Sequence, residues 1–192
     1  MENNPIFEEL LKYADALQDG HFLLASGRHS RHYLQCAKLL QQPRLAEPII
    51  DSLATQVRDL GITAILGFGE TGGILAYELS RRLDARAFLG RRVPGTEHIS
   101  LLPGIIPPKT GNLLLADDVT TTGSSIRELA KLVPSPDVTA RGVALLATKG
   151  TTDFSGFPGR LAVGVRLAAF PIYLPADCPL CRDGVPLSNP PA

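Results

Sequence analysis

The chain reads as an α/β protein with a mostly parallel central sheet flanked by helices, and three observations lead there. Short apolar runs bounded by glycine or turn residues recur through its middle, as buried strands of a parallel sheet do. Helix-patterned stretches alternate with these runs. The residues with unusual chemistry directly follow the runs, where open parallel sheets bind ligands.

Taken in order, residues 5–19 carry Ile6, Leu10, Leu11, Ala14 and Leu17 at helical spacing, with Pro5 near the start and Gly20 past the end. HFLLASGRHSRHYLQC (21–36) is strand-like around a Ser-Gly turn. A second helix fits 43–60, opened by Pro43 and closed by Gly61. ITAILGF (62–68) is too short for a helix and reads as a buried strand. GETGG then leads into a helix, ILAYELSRRL, and ARAFLG (85–90) is another strand. Residues 91–111 hold four prolines and three glycines, which predicts a long mobile loop or loose hairpin. NLLLA (112–116) is a strand and SSIRELAKLV (124–133) a helix. VTARGVALLAT (138–148) and LAVGVRL (161–167) are two further strands, and the tail from 170 to 192 reads as irregular.

Composition excludes several classes. Nineteen basic residues balance nineteen acidic ones, so bulk nucleic-acid binding has no support. No apolar run reaches the roughly 20 residues of a membrane helix, and the polar start MENNPIFEEL does not resemble a secretory signal. A cytoplasmic protein is expected. The three cysteines are Cys36 and the pair in CPLC, Cys178 and Cys181, which make no disulfide framework. One C-x-x-C is half of a zinc site, but no second pair follows it, so a structural zinc is not expected.

The most informative stretch is LLLADDVTTTGSS (113–125). It orders a buried strand, an acid pair, a hydroxyl-rich turn with Gly123, and a helix start. Backbone N–H groups at such a turn can wrap a phosphate. Thr121, Thr122, Ser124 and Ser125 add hydroxyl donors. Asp117 and Asp118 only accept hydrogen bonds when ionised. They would repel a phosphate but suit sugar hydroxyls one ribose length away, or a shared metal ion. A ribose 5-phosphate fits both halves.

This stretch resembles the phosphoribosyl-pyrophosphate (PRPP) signature of type I phosphoribosyltransferases, with Ala116 and Thr120 where larger apolar residues are usual. HFLLASGRHSRHYLQC, GETGGILAYELSRRL and CPLCRDGVPLSNP are similar to the substrate segment, the pyrophosphate loop and the tail of orotate phosphoribosyltransferases. The resemblance implies the type I phosphoribosyltransferase fold over 1–192. A small hood comes from about 1–40 and 165–192, and the core from about 43–165. It implies transfer of the phosphoribosyl group from PRPP to orotate, giving orotidine 5′-monophosphate and pyrophosphate. It also implies Mg2+, held mainly through PRPP rather than by protein ligands, and a homodimer.

The same resemblance assigns residues. Asp117, Asp118, Val119, Thr120, Thr121, Thr122, Gly123, Ser124 and Ser125 hold the ribose and its 5-phosphate, and Thr71 and Gly72 sit at the pyrophosphate. Glu70 sits there as an acid that helps only through magnesium. Arg91 binds PRPP; Arg92 and Asp118 are catalytic candidates, and His98 is added to them on its own chemistry, as the one loop residue able to donate a proton. Lys149 stands where an arginine commonly binds orotate, and Thr121, Arg28 and Tyr33 complete the base site, with Leu34 beside Tyr33. Ala25 occupies a position where some members carry a PRPP-binding lysine. The loop has no Lys or Arg between Val93 and Pro108, where the family is usually richer in them. Two alternatives remain: a homologue with another base specificity, motivated by Lys149 and Leu34, and a PRPP- or nucleotide-sensing protein that has lost catalysis. A nucleotide-dependent dehydrogenase is disfavoured because no G-x-G-x-x-G follows the first strand.

Overall fold

The computed structural model describes residues 5–24, 26–96, 98–132, 135–150, 154–167 and 170–189. Among them, nine strands form two sheets. The larger sheet runs in the order β5-β4-β3-β6-β7-β8. Its members are β3 (Ala64–Phe68), β4 (Arg86–Arg92), β5 (Ile99–Leu101), β6 (Gly111–Thr120), β7 (Val138–Lys149) and β8 (Arg160–Leu167). All pairs are parallel except β4 with β5. The smaller sheet pairs β1 (Leu17–Leu23) with β2 (His29–Leu34), and β2 with β9 (Ile172–Tyr173), all antiparallel.

The period-two pattern of β6 explains the layering. Leu114 and Ala116 face a core shared with α1 (Pro5–Tyr13), α3 (Pro43–Val57) and α4 (Gly69–Leu83). Leu113 and Leu115 face the opposite core, against α5 (Ser124–Ala130). Both faces of β6 are thus buried, as its unbroken apolar run requires.

Several boundaries differ from the sequence expectation. The first helix ends at Tyr13, and Leu17 already belongs to β1. Asp15 takes a left-handed conformation (φ 53°) between them, and an aspartate tolerates that better than most residues. GETGG is not a loop before α4 but its first turn. Strand β6 runs on through the acid pair to Thr120, because its ladder with β7 continues to Thr148. Of the two expected forms for 91–111, a hairpin is found, in which Arg92 pairs with Ile99. A short helix, α2 (Cys36–Leu40), precedes α3 and had no clear periodicity. The tail is not wholly irregular: it supplies β9 and α6 (Pro179–Arg182). Helix α5 stops at Ala130, and Val133, the expected end, lies outside the described residues, as does Ala25.

The crossing of β3 and α4 is very tight. A Cβ built on Gly67 would stand 2.3 Å from the Gly72 carbonyl oxygen, which is backbone and cannot rotate away. Gly67→Ala is expected to destabilise the protein by about 1–3 kcal/mol through overpacking, read as a lower midpoint in urea unfolding at unchanged slope.

Candidate active site

A cavity of about 450 Å³ opens beyond the carboxyl ends of β3, β4 and β6. Asp117, Asp118 and Val119 from β6 form its floor, with Ser125 from the first turn of α5. Phe68, Gly69, Glu70 and Thr71 line one wall, and Arg91 and Arg92 the other. Of two larger clefts, one lies apart between α3 and α4 and the other adjoins this cavity, sharing Gly69, Glu70 and Arg91; neither includes the acid pair.

The two acids differ. Asp117 is 3% exposed, while Asp118 is half-buried. The Asp118 N–H donates to Asp117 Oδ1 (2.9 Å), and the Val119 N–H donates to Asp118 Oδ1 (2.8 Å). Burial, and then the neighbouring charge of Asp118, raises the Asp117 carboxyl well above the ordinary carboxylate range. Cys36 packs behind the pair, its Sγ 4.0 Å from the Asp118 carbonyl oxygen, with its thiol pushed up by burial. Gly72 lies against the same acid: a Cβ there would come within 3.3 Å of Asp117 Oδ1. Gly72 therefore acts through packing, bringing α4 close to the carboxylate.

The hydroxyl loop is held from behind. Thr120 is buried, and its Oγ1 accepts the Gly123 N–H at 2.8 Å, so it shapes the turn. Gly123 has φ 78°, and a Cβ on it would stand 2.6 Å from the Phe157 ring. Arg127 stacks on Phe157 at 5.4 Å and donates to the Thr122 carbonyl at 2.5 Å. Thr121 is half-buried; Thr122 and Ser124 are exposed, with the Thr122 hydroxyl donating to Ser124 Oγ. The turn is thus pinned on its outer side and open towards the cavity, where Ser125 lies.

The cationic wall is set by β4. Arg92 lies over the Phe68 ring at 5.6 Å. His98 is exposed in the hairpin and is not among the cavity residues. Lys149 ends β7, and burial lowers its pKa, with Cys36 and Asp118 acting in the opposite direction. Its Nζ is 5.0 Å from the Phe170 ring, and Phe170 meets His32 of β2 at 5.6 Å. Tyr33, the next residue on β2, has Phe22 as its ring neighbour instead (5.6 Å). Arg28 is exposed in the β1–β2 turn. The structure therefore brings Lys149 to Phe170, whose ring also meets His32, while the ring partner of Tyr33 is Phe22 and Arg28 stays exposed in its turn. Phe170 and His32 were not singled out from sequence. The first sits in a tail without periodicity, and the second among three other polar residues.

No family model matches the chain. An orotate phosphoribosyltransferase from Caldicellulosiruptor bescii is 37% identical over 98% of this chain and 97% of its own. One from Thermotoga maritima is 32% identical over 96% of this chain and 97% of its own. The chain belongs to the orotate phosphoribosyltransferase family. The crystal structure of an orotate phosphoribosyltransferase from Aeropyrum pernix superposes with a TM-score of 0.68 at 25% identity, covering 83% of this chain and 92% of that one. The α/β architecture described above is thus the type I phosphoribosyltransferase fold.

For a phosphoribosyltransferase, the buried acid carries a measurable cost. The folded protein holds the Asp117 proton more tightly than the unfolded chain does. The stability tied to that proton is fully present below the ordinary carboxylate range and is lost as pH rises through the raised value. Asp117→Asn is expected to raise the melting temperature of the ligand-free protein at neutral pH and to flatten this loss. An unchanged pH profile of melting would remove Asp117 as its source.

Proposed function

We propose that this chain transfers the phosphoribosyl group of PRPP to orotate, releasing pyrophosphate and forming orotidine 5′-monophosphate for pyrimidine nucleotide synthesis. The observation that carries the reading is the acid pair and Ser125, at the end of the hydroxyl loop, lining one cavity with Arg91 and Arg92. In this reading the loop 121–125 binds the 5-phosphate, and Asp117 and Asp118 accept hydrogen bonds from the ribose hydroxyls. Arg91 and Arg92 take the leaving pyrophosphate with planar guanidinium forks, and Thr71 stands beside them. Positive charge develops on the sugar as the C1–oxygen bond breaks, and the carboxylates are placed to favour it. The ring nitrogen of the base then bonds to C1 while the electron pair of the broken bond leaves with pyrophosphate.

The donor set also suits Mg2+. Glu70 and Asp118 offer hard carboxylate oxygens at the cavity wall and floor, and such an ion keeps most of its ligands as water and phosphate oxygens. When bound, it supplies charge neutralisation for the pyrophosphate. The β4–β5 hairpin and the loop after it serve as the closing segment, which excludes water that would hydrolyse PRPP. Lys149 pairs with the carboxylate of orotate. The β1–β2–β9 sheet serves as the hood over the base.

A homodimer is supported by exposed Ile74 and Tyr77 beside a groove lined by Leu89, Leu102 and Ile105. Free thiols at all three cysteines accord with a reducing cytoplasm. Among the described residues, no helix is long and apolar enough to cross a membrane.

The test is loss of orotate absorbance with purified protein, PRPP and magnesium. Turnover on the order of 1 s⁻¹ or more is expected. PRPP protection against heat without orotate turnover would instead favour another base, as lysine in place of the usual arginine suggests. Asp118→Asn should weaken PRPP binding about 10-fold or more, the loss of a charged hydrogen bond. Lys149→Ala should raise the orotate KM about 10- to 100-fold and leave the PRPP KM nearly unchanged. Equal effects on both would take Lys149 out of the base site.

A further inference from the structure

The CPLC pair does have partners, and they are two histidines rather than two cysteines. His21 on β1, His29 on β2, and Cys178 and Cys181 around α6 each turn one ligand atom to a common point, and these four atoms all lie within 4.8 Å of one another. His21 Nε2 is 3.0 Å from His29 Nδ1, 3.5 Å from Cys178 Sγ and 3.7 Å from Cys181 Sγ. His29 Nδ1 is 3.3 Å from Cys181 Sγ. A tetrahedral zinc ion, with bonds of about 2.05 Å to nitrogen and about 2.3 Å to sulfur, sets its ligands about 3.3 Å apart for two nitrogens and about 3.6 Å for nitrogen and sulfur. The observed separations lie within a few tenths of an ångström of these.

A second observation fixes the imidazole. His21 Nδ1 lies 2.8 Å from the Val185 carbonyl oxygen, which can only accept, so Nδ1 carries the proton. The lone pair of Nε2 therefore faces the cluster. Histidines that ligate zinc are oriented by this kind of hydrogen bond from the other ring nitrogen to a carbonyl or carboxylate. A proton on His29 Nδ1 would join the two nitrogens but would leave two sulfurs converging on the same point. His21, His29 and Cys178 are buried, while Cys181 is exposed and leaves a path for the ion.

We propose that His21, His29, Cys178 and Cys181 form a structural Cys₂His₂ zinc site that clamps the C-terminal tail onto the β1–β2 hairpin. The ligand set is closed, with four protein donors and no open position, so its role is structural and not catalytic. It ties residues more than 150 positions apart in sequence. Backbone hydrogen bonds continue the attachment beyond it, from Ser188 N to His21 O and from Leu23 N to Ser188 O.

The test is the zinc content of the full-length protein, purified in reducing buffer and offered zinc chloride, then passed through a desalting column. One zinc per chain is expected by elemental mass spectrometry. After exchange, Co2+ should give the intense visible absorption of a tetrahedral site together with thiolate charge-transfer bands. Cys178→Ser/Cys181→Ser should hold less than a tenth as much zinc, whereas Cys36→Ser keeps it. Should the double variant fail to fold, His29→Cys decides: it should retain zinc, with stronger thiolate charge transfer from cobalt. Less than a tenth of an equivalent in the wild type, an octahedral cobalt spectrum, or full zinc retention by the folded double variant would overturn the site. Metal content reads the clamp whether or not orotate is the substrate, so failure here is separate from failure of the proposed function.

Discussion

The site depends on a carboxylate kept almost dry at the end of the sheet's central strand. Asp117 is 3% exposed, on a strand paired on both sides, by β3 and by β7. An isolated buried charge is costly, and its nearest neighbour is a second acid. Nothing in this arrangement benefits the empty fold. Gly72 brings a helix against the acid, Cys36 closes the space behind its neighbour, and the backbone N–H of Asp118 satisfies one oxygen. The first two desolvate the acid pair, and the Asp118 N–H offsets only part of that cost. Sugar hydroxyls arriving at such oxygens meet acceptors already stripped of most water, and this makes each hydrogen bond stronger than the same contact at a wet surface.

The rest of the rim follows from placing the acid pair and the arginines on separate strands. The acids sit on β6, and the arginines sit two strands away on β4, with β3 between them. Strand β3 contributes only small or aromatic groups at its tip: Phe68 carries Arg92 on its ring, and Gly69 begins α4. Direct pairing of Asp117 or Asp118 with these arginines would fill the cavity. A spacer strand without charge leaves room for a molecule that is anionic at its ends and rich in hydroxyls in its middle.

What the sequence made legible was the local chemistry of contiguous segments. The apolar runs at 62–68 and 112–116, the capping Gly61 and the loop glycine Gly123 all have causes within a few residues; β3 forms inside the first run, β6 spans the second, and both glycines take positive φ. The boundaries that shifted were decided by partners elsewhere in the chain. Strand β6 extends to Thr120 because Thr148 pairs with it, and GETGG becomes helical because α4 packs on β3 through Gly67. Around Lys149 the same limit applies. Phe170 meets it from the tail, and His32 of β2 meets Phe170, and no periodicity within either segment signals those meetings. The second half of the CPLC site escaped for a related reason: its histidines stand eight residues apart on two strands of a hairpin, a spacing set by β-pairing rather than by a sequence motif.

The small sheet shows why a cross-link belongs there. Its third strand has only two residues, and the tail from Arg182 to Asn189 is exposed throughout. A sheet this small buries too little apolar surface to be stable by itself. The covering that the large sheet receives from α3 and α4 has no counterpart on the tail. Yet β2 carries His32 to the Phe170 ring, which also meets the Lys149 ammonium, so the placing of β2 bears on that contact. A metal clamp resolves the conflict. It fixes β1, β2 and the tail at one point through bonds that do not depend on buried area. The strand that reaches the base end is then held firmly without a second core, and the cavity beside it stays open.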